Sequence, residues 1–326
     1  MSKIVVVGLG SMGRRRIRLT RLLHADWEVV GVDLSADRRK QASDELGIAT
    51  YESLQAANGA QDLDAALVCT SPQSHGAIVL ECLGHGLHVF TELNLASDWY
   101  GQALDLAARK GLRLFVSSSF LYRKETQYVA EAVGNRRVNY IYHSGQYLPD
   151  WHPWESYKNF FVADRRTNAC REILAIELPW LIRAFGKIES VGVMSDRSSR
   201  LDLDFNDNYI ISIRHKGGSK GVFCQDIISR KAQRRLEVYS EDIHLFWEGT
   251  PQSLARWNIQ ERKMESVALY GNIRQDANYS ASIIENMYMD ELKAFYGYML
   301  GMEKPAYGFQ DDLEVLKIVD QIESFS

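Results

Sequence analysis

Cysteine is scarce in this chain of 326 residues. Cys69, Cys82, Cys170 and Cys224 lie far apart and form no C-x-x-C pair. That spacing excludes a disulfide framework and a structural zinc site, and it points to buried, reduced thiols. Long apolar runs are missing as well. The first, Ile4–Val7, ends in a glycine loop and is too short for a signal peptide or a membrane span. The expectation is a cytoplasmic protein with no membrane partner. Neither sign of charge is in excess, with a net charge of −4 and a pI near 6.1, so no global field recruits nucleic acid. No H-E-x-x-H occurs, and His143 and His152 lack the i, i+4 spacing of a helical metal site, so no metal is expected. No G-x-S-x-G elbow supports a hydrolase. Repeats, low-complexity stretches and Pro/Gly-rich linkers are also lacking.

What is present is the balance of a soluble globular protein, 46% hydrophobic and 25% charged, with length enough for two domains. The N-terminal part alternates strand-like and helix-like segments. Lys3–Val7, Trp27–Asp33, Ile48–Tyr51, Asp64–Thr70, His88–Glu92 and Leu112–Ser117 read as strands. Arg14–Leu23, Asp37–Leu46, Ser74–His85 and Ser97–Arg109 read as helices, the last with Ser97 as N-cap and Gly111 as C-cap. The alternation predicts an α/β fold, a doubly wound parallel sheet over residues 1–120. Beyond it the pattern changes. A strand at Val138–Leu148 precedes a helix at Cys170–Phe185, where Pro179 predicts a kink or a late start. Strands then follow at Ile188–Val193, Tyr209–His215, Gly221–Ile228, Leu236–Tyr239 and Ile243–Glu248, with a hairpin signal at Lys216–Ser219. Helices at Ser282–Leu300 and Gln310–Ile322 close the chain. Residues 121–326 are thus expected to form an α+β domain with a mainly antiparallel sheet.

The run Gly8-Leu-Gly10-Ser11-Met12-Gly13 follows a strand and opens a helix, and Asp33 ends the next strand 20 positions after Gly13. This is the context that a dinucleotide-binding loop requires. Gly8 permits the tight turn, Gly10 the close approach of backbone to pyrophosphate, and Gly13 the packing of helix on strand. The amides near Ser11 and Met12 face the phosphates. A carboxylate at Asp33 accepts hydrogen bonds from the adenosine ribose and repels a 2′-phosphate, so NAD is favoured. NADP stays open because Arg38 lies in reach of such a phosphate. Arg14, Arg15, Arg16 and Arg39 fit a solvated helix face.

With Thr70-Ser71-Pro72-Gln73-Ser74-His75, Glu92, Arg123 and the closing pattern Met287–Phe295 followed by Gly301–Pro305, the chain resembles the glucose–fructose oxidoreductase / inositol dehydrogenase / rhizopine-catabolism (Gfo/Idh/MocA) family over nearly its whole length. The resemblance implies a Rossmann domain, a C-terminal domain with an open antiparallel sheet, and homodimers or homotetramers through that sheet. It also implies NAD(P)-linked chemistry on sugars or polyols. It places Thr70, Ser71, Pro72, His75, Glu92 and Asn94 at the cofactor and Arg123 near substrate. It departs at catalysis. The family's Glu-Lys-Pro is Glu92-Leu93-Asn94 here, and a leucine has no proton to give. Aligned on Phe185-Gly186, the family's helical His and Asp fall at Ile176 and about Pro179.

Another group must then move the hydroxyl proton. The segment Tyr147–Lys158 carries Trp151, His152, Trp154, Tyr157 and Lys158. Its aromatics suit sugar rings, and His152, Tyr157 and Lys158 can carry protons; the same residues equally serve as packing over a loop. Glu172 and Glu177 are candidates for general base, or surface carboxylates. Arg165 and Arg171 match the carboxylate or phosphate of an anionic or nucleotide-linked sugar, or form a solvated charged face. The leading expectation is hydride transfer on a small sugar-type substrate. A redox-neutral epimerase or eliminase with tightly held NAD, and a non-catalytic cofactor-binding regulator, remain the alternatives.

Overall fold

The computed structural model describes residues 2–153, 155–275 and 283–325. It divides into two compact units. One runs to Ser118 and includes Tyr288–Leu313, and the other comprises Ser119–Met287 and Glu314–Ser326.

In the first unit, strands β1 (Lys3–Val7), β2 (Glu28–Val32), β3 (Thr50–Tyr51), β4 (Ala65–Val68), β5 (His88–Thr91) and β6 (Leu114–Val116) form a parallel sheet in the order β3-β2-β1-β4-β5-β6. The order reverses between β2 and β4 around β1, the switch point at which such sheets bind ligands. β4 is buried along its whole length and β1 nearly so, as the unbroken apolar runs predict for a sheet covered on both faces. Helices α1 (Ser11–Leu23), α2 (Ala36–Leu46), α3 (Leu54–Ala60), α4 (His75–Gly84) and α5 (Tyr100–Lys110) follow the first five strands. Val5, Val7, Val79, Leu83, Val89 and Ala103 share one core.

Two local expectations fail here. Helix α5 starts at Tyr100 rather than at Ser97, and Ser97 uses its backbone carbonyl, accepting from Tyr100 N–H at 3.1 Å, instead of capping with its side chain. Helix α3 was not legible, because seven residues rich in Ala, Asn and Gly carry no amphipathic period. Its cap is Ser53, whose hydroxyl accepts from Ala56 N–H. Gly111 does end α5 in the left-handed region, φ 68°.

The second unit has helices α6 (Lys124–Val133) and α7 (Ala169–Phe185). Its eight strands are β7 (Asn139–Gly145), β8 (Ile188–Asp196), β9 (Asn208–His215), β10 (Lys220–Asp226), β11 (Gln233–Tyr239), β12 (His244–Trp247), β13 (Ala255–Asn258) and β14 (Lys263–Ser266). The sheet order is β14-β13-β12-β11-β7-β10-β9-β8, antiparallel except for the central β7–β10 pair. The expected mainly antiparallel sheet is therefore present, with an edge hairpin, β13–β14, whose four-residue strands are too short and polar to be read in advance. Helix α7 covers one face. Tyr140 stacks on Phe185 at 4.1 Å, and Tyr142 meets Trp180 edge-on at 5.1 Å. On the opposite face Ile141, Met194 and Ile210 are exposed. Pro179 neither delays nor ends α7, which starts at Ala169 where the Asn168 side chain accepts from Arg171 N–H at 2.8 Å.

The last two helices are α8 (Glu285–Met299) and α9 (Phe309–Glu323). The expected helix start at Ser282 lies outside the described residues. All four cysteines are free thiols, three of them buried. Among the described residues, no helix is long and apolar enough to cross a membrane, and no group of three or more His, Cys, Asp or Glu side chains is placed to hold a metal ion.

Candidate functional site

The loop between β1 and α1 is built around close approach. Gly8 has φ +95°, and a Cβ there would stand 2.7 Å from the Cys69 carbonyl oxygen. A Cβ on Gly13 would stand 1.8 Å from the Gly8 carbonyl oxygen, closer than any side chain can come. Gly10 is different. Its backbone is extended (φ −68°), it caps α1 with no side-chain hydrogen bond, and a Cβ would meet nothing within 4 Å. Two glycines are thus required by the fold, while the third borders open space at a helix N-terminus. This is the cradle that a pyrophosphate fits. No acidic residue occupies the first turn of α1, so nothing there repels an anion.

Asp33 braces this loop. Its Oδ2 accepts from Leu9 N–H and its Oδ1 from Ser35 N–H, both at 2.8 Å. Arg38 is exposed, with Nη1 3.9 Å from Asp33 Oδ2, and Arg39 donates to the Asp33 and Leu34 carbonyls. The carboxylate and one exposed guanidinium therefore share the end of β2.

After β4, Ser74 Oγ donates to Thr70 Oγ1 and to the Ser71 carbonyl, and Pro72–Ser74 form a 3-10 turn. His75 and Asn94, expected at the cofactor, are instead buried braces, each 1% exposed. Burial lowers the His75 pKa, so the ring is neutral. His75 Nε2 lies 3.0 Å from the Thr70 carbonyl and must donate to it. Asn94 Oδ1 stands 2.8 Å from Nδ1; an accepting Nδ1 requires the amide in its flipped orientation, NH2 toward the ring, which also gives the otherwise partnerless Nδ2 a partner. His75 thereby ties the loop after β4 to the loop after β5.

Glu92 also differs from expectation. Its Oε1 accepts from Arg16 Nε at 2.6 Å, and Arg16 Nη2 donates to Glu291 Oε2 at 2.6 Å. Glu291 Oε1 accepts from Ser117 Oγ and Ser118 N–H. Arg16 and Glu291 are fully buried and Glu92 nearly so. Burial raises the Glu291 pKa against the pull of Arg16. The arginine run after the glycine loop is therefore not a solvated face, since Arg15 and Arg16 are both buried. Sequence reading missed Arg16 because its partners lie 76 and 275 residues away.

In the second unit most expected contacts are already taken. Arg123 is fully buried, pairs with Glu125 at 3.0 Å and donates to the Gly249 carbonyl at 2.8 Å, so the expected substrate contact is a core ion pair. Arg171 pairs with Asp320 and Glu323. Arg165 is exposed and lines a depression with Asp164, Asp202 and Asp204. The two arginines expected to form one anion site are thus each set among acids: Arg171 is paired with Asp320 and Glu323 from the far end of the chain, and Arg165 shares its depression with three aspartates. Lys158 pairs with Asp202, and the Tyr157 hydroxyl accepts from Asp202 N–H. His152 Nδ1 lies 2.9 Å from Glu155 Oε1, and Trp151 Nε1 donates to the Gln146 carbonyl. Trp154 lies outside the described residues.

Glu177 is no free base either. Fully buried, it accepts from Tyr142 Oη, Ser144 Oγ, Trp180 Nε1 and both Nε and Nη2 of Arg234. Glu172 is the contrast. The residue as a whole is half-buried, yet its Oε2 is shut off from solvent with no hydrogen-bond partner. Burial pushes its carboxyl up to about 7. The open sheet face carries a cavity of about 680 Å³ lined by His143, Cys224, Asp226 and Arg235 among others, with His143 Nε2 2.7 Å from Asp226 Oδ2.

The Glu172 value has a thermodynamic consequence. A carboxyl whose folded pKa lies above its unfolded one contributes stability that is fully present below about pH 4.5 and lost as pH rises through about 7. Glu172→Gln removes that loss. Above pH 8 the variant is expected to exceed the wild type by ~3 kcal/mol, with no gain at pH 4. Urea denaturation at the two pH values checks this.

Residues 2–118 match the family model described as "Oxidoreductase family, NAD-binding Rossmann fold" of the Gfo/Idh/MocA group. Among curated proteins, an inositol 2-dehydrogenase of Saccharopolyspora erythraea is 30% identical over 129 residues, 39% of this chain and 38% of that protein. Mouse biliverdin reductase A is 27% identical over 192 residues, 58% of this chain and 59% of that protein. The matched regions thus span well under two thirds of both relatives. Among solved structures, a UDP-N-acetylglucosamine 3-dehydrogenase from Acidithiobacillus ferrooxidans superposes with a TM-score of 0.77 at 14% identity, covering 99% of this chain and 96% of that one. At that identity the likeness shows the fold alone.

Proposed function

We propose that the chain is a nicotinamide-dependent dehydrogenase of a sugar or sugar derivative, because residues 2–118 match the family model of the Gfo/Idh/MocA oxidoreductases with their NAD-binding Rossmann fold. The observation that carries the reading is the Gly10 cradle at the start of α1, braced by Asp33. The bound nicotinamide supplies the hydride acceptor or donor. Gly10 and the first amides of α1 would hold the pyrophosphate, Asp33 would meet the adenosine ribose, and Thr70, Ser71 and Pro72 would border the cofactor on the β4 side. The negative charge of Asp33 favours NAD over NADP.

The proton falls to Glu172. Leu93 stands where the family has its lysine and cannot carry one. Glu177, Lys158 and His152 are engaged by Arg234, Asp202 and Glu155. Glu172 alone among the expected candidates combines an unpartnered oxygen with a pKa near working pH, which suits a general acid or base. The relatives supply the substrate panel: inositols, UDP-N-acetylglucosamine and biliverdin. Oxidation or reduction of any member followed at 340 nm tests the proposal. Turnover that survives Glu172→Gln with an unchanged pH profile would remove Glu172 from the chemistry. NAD reduced and reoxidised without net change would favour the epimerase or eliminase.

The uncovered face bearing Ile141, Met194 and Ile210 supports a homodimer or homotetramer through the C-terminal sheet. Ile210→Asp is expected to lower the mass measured by sedimentation equilibrium to that of one chain. Unchanged mass would exclude this face.

A further inference from the structure

Strands β7 and β10 run parallel and finish together, Gly145 beside Asp226, and β11 begins next to them, Gln233 beside Gly145. The connection between β10 and β11 and the first residues of β11 hold four cations, Arg230, Lys231, Arg234 and Arg235. Tyr147 N–H donates to the Ser229 carbonyl at 2.7 Å, so the aromatic segment that begins at Tyr147 is tied to this basic one.

Arg234 is held in a fixed pose. Its Nε and Nη2 both donate to Glu177 Oε1, at 3.1 and 2.7 Å, and its guanidinium lies over the Phe120 ring at 4.6 Å. Glu177 is itself fixed by Tyr142 and Trp180. One edge of the guanidinium is therefore anchored in the core. The side chain is still 19% exposed, and its two hydrogen bonds to Glu177 use Nε and Nη2, not Nη1. Arg230 is exposed, with its guanidinium over the Tyr147 ring at 4.1 Å.

We propose that Arg234, backed by Arg230, is the anion receptor of the second unit and takes one carboxylate or phosphate group of the substrate. The reading of the ligand as a substrate rests on the proposed oxidoreductase function. The two arginines divide the work. The Arg234 charge is balanced by Glu177, so this residue supplies orientation: a planar fork whose outer edge is preorganised and loses little freedom on binding. Arg230 and Lys231 supply the net positive charge that draws an anion. Arg171, with two carboxylates on it, has neither property.

The test is calorimetric titration of the whole chain, with and without saturating NADH, using three probes: gluconate for a sugar acid, inorganic phosphate, and UDP for a nucleotide-linked sugar. Saturable binding of at least one is expected, and which one identifies the source of the anion. Arg234→Lys keeps a cation beside Glu177, so the fold is retained, but loses the fork. It is expected to weaken that probe at least about tenfold, and Arg230→Gln about threefold, with NADH affinity unchanged in both. Equal affinity in Arg234→Lys, or no saturable binding of any probe by the wild type, overturns the proposal. Failure of the wild type to bind NADH contradicts the oxidoreductase reading instead and leaves the Arg234 comparison intact.

Discussion

Gly10→Ala is expected to leave the fold intact and to weaken NADH binding by about a hundredfold, roughly 2.8 kcal/mol, the order of cost of forcing a methyl into a filled contact. The backbone at Gly10 is extended and open to any residue, and its missing side chain faces space with no atom within 4 Å. In the free protein the methyl therefore costs nothing. On the proposed cofactor site, it would stand where the pyrophosphate is to meet the loop. Gly13→Ala is the matching control, since its methyl would fall 1.8 Å from the Gly8 carbonyl oxygen. That overlap involves backbone on both sides and cannot relax without shifting α1 from β1, so a loss of at least ~3 kcal/mol of stability is expected. Thermal melts paired with NADH fluorescence titrations separate the two. If Gly10→Ala binds NADH like the wild type, the cradle is not where the cofactor sits.

Arg16→Met is expected to be the most destabilising single change in the first unit, by about 3–5 kcal/mol, because it leaves two buried carboxylates without their cation. At this domain size that lowers the melting temperature by roughly 10 °C. The loss should shrink as pH falls, since Glu291, whose pKa burial already raises in the wild type, can then be neutralised by a proton. Adding Glu92→Gln and Glu291→Gln to Arg16→Met is expected to recover most of the stability, because amides need no counter-ion. A melting temperature for Arg16→Met within 2–4 °C of the wild type, equivalent to only about 1 kcal/mol, would mean that the buried pairs are not the anchor they look like.

How much of this could be read from the residues alone depended on range. The glycine loop and Asp33 were legible because their chemistry lies in local spacing, and the parallel sheet because each strand is an unbroken apolar run. The sheet of the second unit showed in its alternation, most clearly along β9, where buried and exposed positions alternate from Tyr209 to His215. The charged side chains were not legible. A run such as Arg14–Arg16, or a pair such as Arg165 and Arg171, carries no mark of which member is buried. That is decided by Glu291, Asp320 and Glu323, acids at the far end of the chain. Glu172 and Glu177 looked equivalent on one helix. Folding surrounds one with five donor groups and leaves the other with an unpartnered oxygen. Arg234 was passed over for the same reason, since its value comes from Glu177 and Phe120, neither of them near it in sequence.

The most direct check of a nicotinamide-dependent enzyme is equilibrium titration of the purified wild-type chain with NADH and, in parallel, NADPH. The account predicts one saturable site per chain for NADH, with NADPH bound more weakly because its 2′-phosphate meets Asp33. Tighter binding of NADPH would reverse the cofactor assignment and point to Arg38. No binding of either nucleotide at millimolar concentration would contradict the account at its root.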